Sequence, residues 1–304
     1  MNKKTDFNRL IIIGNGFDRA HGLPTSYEHF MKQLSEEQDD FYNAICQYIP
    51  EEALWSSFEE ALADLDYEQI QDDNSCYLLG YGDEDWRDSA HHDFQYMIGE
   101  TLAFASDIPK YFIEWISSVD TNVSPVMPSH MVDKDNLYLS FNYTDTLENV
   151  YNIPEKNILY IHGKALRNDN LIVGHHSDDL VQDESEPQFP SEEEREIYYD
   201  NYSEDVRVTE AKEIIKSYFK STYKDTTLII GKNCNFFHSL STIKEIYIYG
   251  HSLSHIDLDY FYEIRRCVPA NCKWYISYFD ENGYKKANIF IKTLDLHLYQ
   301  LYKV

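Results

Sequence analysis

The sequence predicts an α/β fold in which a mostly parallel sheet of about six strands carries helices on both faces and a helical insertion. Three observations predict it. Short apolar runs rich in Ile, Val and Tyr recur along the chain with little polar alternation, as in strands covered on both faces. Helix-like segments lie between several of them, as crossovers between parallel strands require. One long interval, 26–135, has helical periodicity and no comparable strand signal.

The strand-like runs are residues 10–13, 138–141, 158–161, 171–173, 246–249 and 274–278. Within 26–135, Phe41, Ile45 and Tyr48, and again Trp55, Phe58, Leu62 and Leu65, fall along one helix face. Thr25 with Glu28 three residues on has the spacing of a capping box, and Pro24 stops a helix from the other side, so a helix starts there. A second insertion, 177–223, is acidic from Asp178-Asp179 to Glu192-Glu193-Glu194 and reads as a mobile loop in that half. Its second half places Ala211, Ile214, Ile215, Tyr218 and Phe219 on one buried helix face. The organisation is that of a single α/β domain over 1–304 with insertions at 26–135 and 177–223.

With 304 residues, 43% of them hydrophobic, the chain has enough apolar material for a sizeable core. The polar start and the short first apolar run do not make a secretory signal, and no stretch approaches the roughly 20 apolar residues of a spanning helix. A soluble, cytoplasmic protein is expected. Five scattered cysteines without a C-x-x-C pair suit reduced thiols and give no zinc-binding pattern. A formal net charge of −27 opposes long-range attraction to nucleic acids and anionic membranes alike.

Four blocks carry the candidate chemistry, each at the end of a predicted strand, where open α/β sheets place ligand groups. Gly14-Asn15-Gly16-Phe17-Asp18 is a glycine turn entering a helix, suited to phosphate or to plain chain reversal. It is not the dinucleotide fingerprint, because Arg19 stands where the third glycine would be. Asp18 reads either as a helix cap or as a ligand to a ribose or amide. In Ser140-Phe141-Asn142-Tyr143-Thr144-Asp145, Asn142 is the focal residue, since its amide both donates and accepts. A helix cap at Asn142 or Thr144 is the competing reading. His162, before Gly163, has the ordinary pKa of a general base. Gly250-His251-Ser252 through Asp257 repeats the strand and glycine-turn pattern, with Ser252 or Asp257 as ligand contacts or helix caps. His175, His176, Asp178 and Asp179 make a poor metal set, because adjacent histidines do not converge.

Taken together and in this order, these blocks resemble the phage abortive-infection AbiH family. The resemblance rests on Gly14-Asn15-Gly16-Phe17-Asp18 with His21-Gly22-Leu23-Pro24-Thr25, Trp55-Ser56-Ser57-Phe58-Glu59, Phe141-Asn142-Tyr143-Thr144, His162-Gly163 and Gly250-His251-Ser252-Leu253. More distantly, the order is similar to that of sirtuin-like domains. That similarity implies a Rossmann-like, sirtuin-like fold that binds NAD and cleaves its nicotinamide–ribose bond. Carried over by position, Asn142 and His162 become the catalytic pair. Gly14, Gly16, Gly250 and Ser252 become cofactor contacts, with Asn15, Phe17, Asp18, Tyr143, Asp145, His251 and Asp257 in the same site. Asp18 and the lack of a four-cysteine zinc ribbon depart from the sirtuin pattern and favour NAD hydrolysis over deacetylation.

The resulting expectation is an anti-phage abortive-infection enzyme with NAD as substrate and no metal. Two alternatives stand beside it. One is a metal-dependent nuclease or phosphodiesterase using His162 with His175, Asp178 or Asp257, and the other a non-catalytic sensor of NAD or ADP-ribose. A phage-derived trigger, a partner defence protein, self-association through the helical insertion, or movement of 177–196 are the candidate controls.

Overall fold

A computed structural model describes residues 7–128, 131–165, 171–181, 191 and 205–304. The stretch Glu192-Glu193-Glu194, read above as part of a loop, lies outside the described residues. The chain clusters into two compact units, one formed by 1–33, 109–173 and 224–304, the other by 34–108 and 174–223.

The first unit is built on a six-stranded sheet in the order β3-β2-β1-β4-β5-β6. The strands are β1 (Arg9–Ile13), β2 (Leu137–Ser140), β3 (Ile158–Tyr160), β4 (Glu245–Tyr249), β5 (Lys273–Tyr278) and β6 (Tyr299–Lys303), and every pairing is parallel. This is the doubly wound Rossmann-like order, with its reversal of direction between β1 and β4. Alternation along β1 explains why both faces are apolar. Leu10 and Ile12 enter one core with Phe237, Tyr260, Phe261, Ile264 and Phe290, whereas Ile11 and Ile13 face Phe17, Tyr138, Leu147 and Ile153. The helices supplying these residues include α1 (Asn15–Ala20), α8 (Thr146–Tyr151), α10 (Thr226–Lys232), α11 (Cys234–Ser239), α12 (Leu258–Cys267) and α13 (Glu281–Thr293), numbered in chain order.

Two strand readings need correction. Residues 171–173 are not a strand, because their backbone is diverted to other partners: Ile172 donates its N–H to the His162 carbonyl at 2.9 Å, and its own carbonyl accepts from the Tyr143 hydroxyl at 2.8 Å. The sixth strand is β6, which lies at the sheet edge, exposed or half-buried along its whole length, and is not a continuous apolar run. The capping box is also corrected. Helix α2 (Tyr27–Glu37) begins after Ser26, and the Thr25 hydroxyl donates to Asn15 Oδ1 at 2.6 Å, tying α2's approach to the first glycine turn.

The second unit is helical. Its elements include α3 (Asp39–Tyr48), α4 (Glu51–Ala61), α5 (Tyr67–Asp73), α6 (Asp93–Thr101) and α9 (Val206–Ser221), while α7 (Ile108–Ser117) belongs to the first unit apart from Ile108, as does 118–136, which holds neither helix nor strand among its described residues. Phe41, Ile45 and Tyr48 are buried along α3 as their spacing predicts; Phe58, Leu62 and Leu65 are buried too, but Trp55 is only half-buried and α4 ends at Ala61, so those four do not share one helix face. On α9, Ala211, Ile215, Tyr218 and Phe219 are buried, Ile214 is half-buried, and the Tyr218 hydroxyl donates to the Leu62 carbonyl at 3.0 Å. Helix α4 is broken at Ser57, whose φ of −148° and ψ of 58° fall inside the Trp55–Glu59 block. Among the described residues, no helix is long and apolar enough to cross a membrane.

Candidate active site

The four blocks converge at the carboxyl ends of β1 to β4, all within the first unit. The turns after β1 and β4 meet backbone to backbone. Gly14 N–H donates to the Tyr249 carbonyl at 3.1 Å and Gly16 N–H to the Gly250 carbonyl at 2.7 Å. A Cβ on Gly14 would lie 2.7 Å from His251 Cα, and one on Gly16 2.7 Å from Gly250 Cα. The glycines therefore serve the close approach of two protein segments, and their amides are already engaged. Phe17 is fully buried and stacks at a tilt on His21, whose Nδ1 bonds the Phe17 carbonyl and whose Nε2 bonds the Tyr151 hydroxyl.

Asp18 is 1% exposed and does not cap α1. Its Oδ2 accepts from the Thr144 hydroxyl at 2.6 Å, Thr144 lies 3.0 Å from the Thr146 hydroxyl, and Oδ1 is buried without a hydrogen-bond partner. Burial pushes the carboxyl above the ordinary aspartate value, against the hydroxyls of Thr144 and Thr146 and the amide of Asn142. The sign for stability follows. The native state holds the Asp18 proton more tightly than the unfolded chain, so its contribution is complete below the ordinary aspartate pKa and is lost as pH rises through the raised one. Asp18→Asn is therefore expected to stabilise the protein at pH 7 by about 1–2 kcal/mol. Thermal melts of both forms check this, and a gain that does not shrink toward pH 4 would contradict the assignment.

Asn142 follows β2 and is buried, yet neither its Oδ1 nor its Nδ2 has a hydrogen-bond partner. It does not cap α8, and neither does Thr144; Asp145 holds the cap position, with its carboxylate engaged by the Thr121 hydroxyl at 2.6 Å. Native interiors rarely leave an amide unsatisfied at both ends, so this pair of atoms marks a place where a polar ligand group fits. Tyr143 packs against Phe112 and lies tilted to the His162 ring, with centroids 6.1 Å apart.

His162 ends β3, its side chain 3% exposed among the rings of Phe141, Tyr143 and Tyr260. Gly163 turns the chain there with φ of +89°. The Nε2 atom makes no hydrogen bond and faces Asp257 Oδ1 at 3.8 Å. Burial, then the neighbouring Lys224 charge, hold the ring's pKa well below the ordinary histidine value. This favours the neutral imidazole, the form that accepts a proton.

After β4, Gly250 adopts φ of +65° and Leu253 a left-handed φ of +55°, which a non-glycine residue adopts at a cost of about 1–2 kcal/mol. The Leu253 N–H donates to His251 Nδ1 at 2.9 Å, so His251 carries its proton on Nε2, aimed at Asp257 Oδ2 3.5 Å away. Asp257 sits at the cap position of α12, but its side chain makes no cap bond. Ser252 is exposed. Lys224 is a residue the sequence reading missed. It is 0% exposed, with Nζ 3.6 Å from Asp257 Oδ1. Its one local signal is position, directly before Asp225, which caps α10 by accepting the Leu228 N–H. His175 and Asp178 are engaged within the second unit: His175 bonds the Phe219 carbonyl and the Ser177 N–H, and Asp178 the Tyr223 hydroxyl.

A doubly wound parallel sheet with buried polar side chains gathered at its carboxyl edge defines a Rossmann-like α/β protein with one candidate site at the switch point. The sequence pattern of the family "Bacteriophage abortive infection AbiH" matches residues 10–278, and the chain belongs to that family. It is thereby an anti-phage abortive-infection protein. No curated protein and no solved structure compared with the chain shows significant similarity to it.

Proposed function

We propose that this protein is a hydrolase of NAD, cleaving the nicotinamide–ribose bond and so depleting the infected cell of NAD. The observation that carries the reading is the Asn142 amide, buried beside Asp18 without a hydrogen bond of ordinary geometry at either end, just past β2 as His162 is just past the neighbouring β3. NAD as the substrate comes from the sirtuin-like order of the sequence blocks. In the reaction the glycosidic C–N bond breaks, its electron pair neutralises the pyridinium, and nicotinamide leaves. Water adds to the ribose carbon, and His162 takes the proton that the water gives up. Asn142 orients the ribose and the attacking water, which is a source of rate in itself. With the Gly14 and Gly16 amides engaged, the glycine turn shapes the wall of the pocket rather than donating to the pyrophosphate.

The test is incubation of the purified protein with NAD, ATP and nucleic acid in parallel, with and without chelator, followed by chromatography of the products. Nicotinamide and ADP-ribose in equal amounts, insensitive to chelator, are expected. Cleavage of nucleic acid abolished by chelator would replace this reading with the nuclease. Tight NAD binding with no product would replace it with the sensor.

A further inference from the structure

Among the groups near Asp257 are Lys224 Nζ at 3.6 Å and His162 Nε2 at 3.8 Å on Oδ1, and His251 Nε2 at 3.5 Å on Oδ2. These groups come from separate parts of the chain, namely the connection before α10, the end of β3 and the turn after β4. The remaining faces of the His162 ring meet Phe141, Tyr143 and Tyr260. Tyr143 donates its hydroxyl to the Ile172 carbonyl, so it offers His162 a ring and not an acid. One carboxylate thus serves two imidazoles and a lysine with little water to screen them.

We infer that Lys224 and Asp257 are positioning residues for His162, a role resting on the hydrolase reading above: Asp257 fixes the imidazole proton on Nε2, and Lys224 balances Asp257 so that the ring stays neutral. The physical argument has two parts. A carboxylate facing Nε2 favours the tautomer with its proton there, which leaves Nδ1 as the basic nitrogen. An unbalanced carboxylate at that distance would also draw a second proton onto the ring and extinguish the base, as opposite charges do. The buried ammonium of Lys224 opposes this from the other side, and the low pKa of His162 agrees with it. Because His251 uses Nδ1 for the Leu253 amide, it can present only Nε2–H to Asp257 and cannot exchange roles with His162.

The experiment is nitrogen NMR of the full chain labelled with 15N-histidine, with His162 assigned by its loss in His162→Gln and the ring followed from pH 5 to 8. In the wild type, His162 is expected to remain neutral with its proton on Nε2. In Asp257→Asn the amide can donate to Nε2, and the ring is expected to move to the Nδ1-protonated form. In Lys224→Met the ring is expected to titrate within the range. That variant leaves a buried carboxylate unbalanced and can fail to fold. The double variant Lys224→Met with Asp257→Asn removes both charges, and in it His162 should again be neutral but Nδ1-protonated. An unchanged Nε2 tautomer in folded Asp257→Asn and in the double variant overturns the inference. Since this readout needs no turnover, it stands or falls apart from the NAD assignment. If NAD is cleaved, Asp257→Asn should lower kcat by roughly 10- to 100-fold while leaving KM nearly unchanged.

Discussion

Asn142→Ala and His162→Ala are each expected to lower nicotinamide release by roughly 10²- to 10⁴-fold, the loss that removal of a positioned proton acceptor or orienting group brings. The two variants differ in a way that separates a functional from a structural residue. The His162 ring fills space between Phe141, Tyr143 and Tyr260, so its truncation also costs packing. Asn142 makes no hydrogen bond of ordinary geometry, although its amide bears on the Asp18 carboxyl, so the desolvation relieved by its removal offsets the atoms lost. Asn142→Ala is therefore expected to melt near the wild-type temperature while inactive. Turnover within about threefold of wild type in both variants would end the hydrolase proposal.

Gly250→Ala is expected to be strongly destabilising. The residue has φ of +65°, and a Cβ there would lie 2.4 Å from Phe17 N and 2.5 Å from Gly16 C. Those are backbone atoms of the turn after β1, so no side chain can swing aside. The left-handed conformation and the forced separation of two central turns together cost about 3–5 kcal/mol. Denaturant titration measures it, with Gly99→Ala as the control. Gly99 lies within α6 and meets nothing within 4 Å, so alanine there should be neutral or stabilising by up to about 1 kcal/mol. If the two variants unfold at the same denaturant concentration, the packing of Gly16 on Gly250 is not what holds the turns together.

The parts of the fold legible in the sequence are those whose residues must be apolar on both sides. Strands β1 and β2 announce themselves through runs such as Leu10-Ile11-Ile12-Ile13, because a central parallel strand has no wet face. Strand β6 does not, since it lies at the sheet edge with no fully buried residue and Tyr299 exposed. Leu171-Ile172-Val173 has the composition of a strand, but its hydrogen bonds run to His162 and to the Tyr143 side chain, which no local pattern encodes. The site shows the same division. Asn142 and His162 stand out because they end strands, and strand ends in this topology face a common edge. Asp18 is ambiguous in sequence because its partner Thr144 is 126 residues away. Lys224 is invisible there, since lysine is ordinarily a surface residue and only the folded chain shows that this one has no water around it.

The placement of β1 between β2 and β4 has a consequence for the timing of synthesis. The first wall of the site is translated by residue 18, but Asp257 and β4, the second of the two strands that pair along β1, come more than two hundred residues later. Contacts of such sequence separation form late and close slowly. A ribosome-bound chain that has not yet released α12 holds Asn142 and His162 without the carboxylate and turn that complete their surroundings. For a protein of an abortive-infection family, the order of its strands thus ties assembly of the candidate site to synthesis through α12, and a truncated product ending before residue 245 is expected to release no nicotinamide.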